Sequence, residues 1–140
     1  MKTLIKIIMV VALLMAGAVA GEAQVLRDAN FNSIGRINTN GVVRDGDGRS
    51  LGEFNADGTV KDRDGRVRGK IVRLEIFSPA GERVGYITSE GEVHDGESRV
   101  IGAVSLGDGK VSDASGNTLG FARGVRVDWI ACYYLFKMFN

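Results

Sequence analysis

The sequence holds one cysteine, one histidine and one proline. Each scarcity removes a class of function. A lone Cys132 excludes an intramolecular disulfide, even in an oxidising compartment. No group beside it in the sequence would lower its pKa, so it reads as a buried, inert thiol. A lone His94 leaves too few ligands for a Cys–His or multi-histidine zinc site. It is also the single candidate base for a nucleophilic triad. His94 precedes Asp95 in a slot that Arg44, Lys61 and Ser112 fill elsewhere. A slot open to those residues is solvated, so His94 is not read as catalytic. An excess of one charge is missing too. The 18 basic and 17 acidic residues alternate rather than cluster, which argues against nucleic acid or an anionic membrane as partner.

What the chain has in quantity is glycine, 20 residues of it. Across residues 34–120 a Gly follows an aliphatic residue at Gly35, Gly52, Gly85, Gly102 and Gly120, and follows Arg68 at Gly69. The gaps are 17, 17, 16, 17 and 18 residues, which defines five units. In the unit 51–67, Leu51 and Phe54 precede a turn at residues 55–58, and Val60 precedes a second at 62–65. Asp-Gly suits such turns because Gly accepts positive φ and Asp bonds its own backbone two residues on. Strands of four or five residues with a turn every eight or nine predict an up-and-down meander. A helix is excluded by Gly at about every eighth residue and by the lack of a 3.6-residue apolar period.

The second strand of the unit recurs as Val43-Arg44-Asp45, Val60-Lys61-Asp62, Val93-His94-Asp95 and Val111-Ser112-Asp113. Leu26-Arg27-Asp28 fits the same slot, so a half unit precedes Gly35 and a partial one follows Gly120. Ends that complete each other favour a closed ring over an open stack, and closure removes edge strands. These units resemble the five-fold β-flower proteins, small exported bacterial proteins that also end in a Trp and an aromatic-rich tail. The likeness covers residues 26–139. It implies a closed pseudo-five-fold array of β-hairpins and no known activity.

The third unit departs from the pattern. Residues 69–81 lack the first Asp/Asn-Gly turn, put Ser78 where the others have Asp, and hold Pro79. Residues 71–77 are expected to run as one longer strand, followed by a turn with Pro at its second position. Drift in one repeat and a unit specialised for a partner both account for this.

The two ends differ from the repeats. Residues 1–20 have a basic start at Lys2 and Lys6, an apolar centre and an Ala18-Val19-Ala20 cleavage pattern, so they are expected to be a signal peptide, with Ala23 an alternative cut. A single domain, residues 21–140, would then be exported to the periplasm, cell envelope or medium, with no membrane span. Without Lys2 and Lys6 it has 16 basic residues against 17 acidic ones. Residues 121–127 are expected to form a last strand or two. The tail, residues 129–140, holds five of the ten aromatics and is expected to be a short helix, capped by Asp128, or an extended plug, with a strand as competitor. It is expected to pack against the ring. Trp129, Tyr133, Tyr134 and Phe136 are the candidate partner-binding residues.

No catalytic, cofactor or metal residues stand out. The loops 45–48 and 62–65 look like calcium loops, but each supplies two carboxylates where Ca²⁺ takes six to eight oxygens. Glu75 is the one acid outside the repeat, and it has no partner for glycoside hydrolysis. The expected protein is an all-β closed array acting as an exported, non-enzymatic structural or binding module of the cell envelope, without cofactor. The alternative is a small glycan-binding or hydrolytic protein using turn Asp residues.

Overall fold

The computed structural model describes residues 24–140. The expected signal peptide, residues 1–20, lies outside them. Twelve short strands follow one another: β1 (Val25–Asp28), β2 (Ser33–Ile37), β3 (Val42–Asp45), β4 (Ser50–Phe54), β5 (Thr59–Asp62), β6 (Val67–Val72), β7 (Glu75–Phe77), β8 (Arg83–Ile87), β9 (Glu92–Asp95), β10 (Val100–Val104), β11 (Lys110–Asp113) and β12 (Thr118–Phe121). Each pairs antiparallel with its neighbours, and β12 returns to β1, so the meander is a closed barrel. Among the described residues one helix, α1 (Val127–Tyr134), follows.

Twelve strands make six hairpins, not five. Six repeat glycines have five gaps between them, and the sixth gap is bridged by the β12–β1 ladder rather than by chain. The half unit before Gly35 is the single strand β1, and it pairs with β12, which carries Gly120, so the two ends complete each other as the sixth unit. The long strand expected over residues 71–77 is also two strands. A two-residue turn at Arg73 and Leu74 separates β6 from β7 and sets Val72 opposite Glu75. Every other strand turn at that rim has four or five residues, and this shortness is the third unit's irregularity.

At one rim all six turns share a design. The Oδ1 atoms of Asp28, Asp45, Asp62, Asp95 and Asp113 each accept from the amides two and four residues on, at 2.9–3.0 Å. In the remaining turn Ser78 Oγ accepts from the Glu82 amide at 3.2 Å, with Pro79 second in the turn as expected. The fourth residue of each turn has positive φ, which suits Gly at 48, 65, 81 and 116 but is held by Phe31 at 69° and Ser98 at 66°.

Alternation along the strands puts one buried side chain inside on each: Leu26, Val43, Val60, Ile76, Val93 and Val111 on the odd strands, Ile37, Phe54, Ile71, Ile87 and Val104 on the even ones. Ala122, one residue past β12, completes the set. On even strands the other buried position is the repeat glycine, two residues earlier. Eight strands enclose a space that side chains alone can fill; twelve leave a wider lumen. The C-terminal segment fills it, with Ile130, Ala131, Cys132, Tyr134 and Met138 all buried.

Two expectations for this end change. Residues 122–126 turn rather than extend β12, and the Val125 amide donates to the Ala122 carbonyl. Asp128 is the second residue of α1, not its cap; Arg126 holds the cap position without a side-chain hydrogen bond. The short helix expected in the tail is present as α1, which ends at Tyr134, and the rest of the tail continues as a plug.

Candidate functional site

The plug fits the barrel through the glycines. A Cβ on Gly120, Gly102, Gly69 or Gly52 would stand 2.6, 2.8, 2.8 and 2.8 Å from Tyr134, Leu135, Met138 and Phe139 respectively. On Gly85 it would overlap Phe136. Residues 134–139 thus pass round the inside of the ring in the order β12, β10, β8, β6, β4, opposite to chain order. Each glycine also lies close to a carbonyl of the neighbouring strand, such as Ser112 for Gly102. Both contacts forbid a side chain there.

The four sequence candidates do not share one surface. Trp129 lies at the rim opposite the Asp turns, where it stacks on Phe54 with centroids 5.0 Å apart and planes 8° apart. The Arg126 guanidinium lies 4.9 Å from the Trp129 ring centroid and pairs with Asp128 through 2.6 and 3.1 Å contacts. Asp128 is the one buried charged residue among the described residues, and it also accepts from the Trp129 amide. Tyr134 and Phe136 lie at the glycine level, against Gly120 and Gly85, and Tyr133 lies beside Tyr134. Tyr133 meets Tyr134 edge-on at 4.9 Å and Phe139 at 6.3 Å. Burial, then the Asp45 carboxylate, pushes the Tyr133 pKa up. Burial also pushes Tyr134 and Cys132 well above their ordinary values, so neither ionises near neutral pH.

His94 has a local task. Its Nδ1 meets the Ser98 carbonyl at 3.1 Å, its Nε2 meets Glu92 at 2.7 Å, and its ring stacks on Tyr86. Arg27 and Arg44 hold the carbonyls of Phe31 and Gly48 in the same way. Among the described residues no three His, Cys, Asp or Glu side chains group to hold a metal, and no helix is long and apolar enough to cross a membrane.

A cleft of about 420 Å³ opens at the Trp129 rim. One wall is the β4–β5 turn, residues 55–58; the other is the end of β6 with Arg73. Phe54, Ile71 and Trp129 form its floor, and Arg126 closes one side. The cleft exists because the β6–β7 turn is two residues long, which notches the rim beside a four-residue turn. Lys70 and Arg73 border it without an ion pair among the described residues. Sequence reasoning did not pick out Lys70, Arg73 or Arg126. The signal was there in the missing Asp/Asn-Gly of the third unit, read as lengthening a strand when it shortens a turn.

Neither a curated protein nor a solved structure matches the chain. The family description "5-fold beta-flower protein" matches residues 23–138, and the chain belongs to that family.

Proposed function

We propose that the protein is an exported, non-enzymatic structural or binding module of the cell envelope. What carries the reading is the filled lumen: the space that a twelve-stranded barrel would offer a ligand is taken by the chain's own residues 127–139. Recognition is left to the rims and outer wall. The turn carboxylates support the same reading, because each Oδ1 is committed to two backbone amides. Phe54 stacks on the Trp129 ring and the Arg126 guanidinium lies against it, so this ring is already engaged rather than free to stack on a sugar. Export is supported by the signal-peptide pattern of residues 1–20. Expression of the full chain in a bacterium, with intact mass measured in periplasmic and cytosolic fractions, tests it. The expected species lacks residues 1–20 or 1–23 and lies outside the cytosol. A full-length cytosolic species overturns export.

A further inference from the structure

We propose that the notch at the Trp129 rim binds a small organic monocarboxylate, held by Arg73 and Lys70 with its apolar group against the edge of Trp129. The volume of about 420 Å³ suits a small molecule. The charge selects the class. Lys70, Arg73 and Arg126 face Asp57 within the cleft, and Arg126 is already paired with Asp128. One positive charge is left over, which matches a monoanion and not a phosphate dianion. The Asp57 carboxylate is engaged by the Thr59 amide at 2.9 Å, which keeps it ionised and holds its pKa below the usual range. A second negative group on the ligand would meet it unfavourably.

The backbone supplies an independent pointer. Arg73 has φ of 59° in the two-residue turn, a conformation that is strained for a side chain of this kind and costs glycine almost nothing. The other rim uses Gly at most of its left-handed positions. A long cation kept in such a place, beside a cleft and without an ion pair, is the kind of strain that collects at binding sites.

This inference rests on the binding half of the proposed function, but it is tested on purified protein, so failure of export leaves it intact. The probes are N-acetyl-phenylalanine and its uncharged amide, followed by the fluorescence of Trp129, the chain's one tryptophan. The acid should give a saturable change and bind at least tenfold more tightly than the amide. Arg73→Gly should weaken the acid at least tenfold while melting at the same or a higher temperature, because it relaxes the turn. No saturable change with the acid, equal affinity for acid and amide, or unaltered binding by Arg73→Gly overturns the proposal.

Discussion

The Tyr134 hydroxyl donates to the Arg27 carbonyl at 2.7 Å and accepts from the Arg27 amide at 3.1 Å. The end of α1 is thereby bonded to the first strand. Arg27 lies opposite Phe121 on the β1–β12 ladder, which has two paired positions where each other strand pair has three. The barrel's weakest ladder is thus secured from inside by the tail. From outside, Phe31 packs edge-on against Phe121 with centroids 5.2 Å apart. The hidden seam and the buried tail are one device.

Tyr134→Phe keeps the ring in the Gly120 slot and leaves the Arg27 groups without the hydroxyl. The expected loss is about 1–3 kcal/mol in denaturant unfolding. Tyr133→Phe serves as control, since no hydrogen bond of its hydroxyl occurs among the described residues, and should change stability by less than about 0.5 kcal/mol. Equal losses in the two variants would contradict this role.

Gly102→Ala should be among the costly single methyl additions, because the new Cβ meets both Leu135 and the Ser112 carbonyl. Overpacking of this kind costs about 1–3 kcal/mol. Ser98→Gly should go the other way. Ser98 is exposed at φ of 66°, and Gly removes that strain for a gain of about 1 kcal/mol. Melting curves of the two variants should move in opposite directions.

How far the sequence carried the fold is visible in these positions. Turn chemistry and strand alternation were legible because each depends on neighbours in the chain, as with Asp45 and its own loop. The hairpin count was misread because closure is a relation between the ends: counting gaps between glycines omits the one spanned by the Gly120–Asp28 pairing. The family's name says five-fold, whereas twelve strands here form six hairpins. The role of the glycines was hidden for the same reason. Gly85 and Phe136 are far apart in sequence, and only the closed ring brings them together. The cleft followed from one short turn, and Arg73 carried no signal of its own.

Stability should fall in acid. Hydrogen bonds from the Arg99 amide to Asp95 and from the Asn117 amide to Asp113 hold both carboxyls below the ordinary value of about 3.9. A folded-state pKa below the unfolded one gives stability that is present above that value and lost as pH falls through the lowered one. The melting temperature should hold to about pH 4 and then drop. Asp113→Asn, which keeps an acceptor but does not titrate, should soften the drop. A profile flat to pH 2 would count against it.

Cys132 offers a probe of the plug. It is buried inside the barrel, and burial pushes its pKa up, so a thiol reagent should leave the native protein unlabelled. Labelling should appear only in step with unfolding. Modification within minutes in native buffer would mean that the plug leaves the lumen readily.

Removal of residues 129–140 tests most directly the claim that the tail is the barrel's core. Twelve inward aliphatic or aromatic side chains would then face an empty lumen, each worth about 1.5–3 kcal/mol when a large one is fully buried. Losing even part of that burial is comparable to the roughly 5–15 kcal/mol by which a domain is stable. Thermal unfolding of the truncated and full chains, followed by circular dichroism, decides the matter. The account predicts that truncation abolishes the cooperative transition or the soluble fold; a soluble truncated protein that melts like the full chain would contradict it.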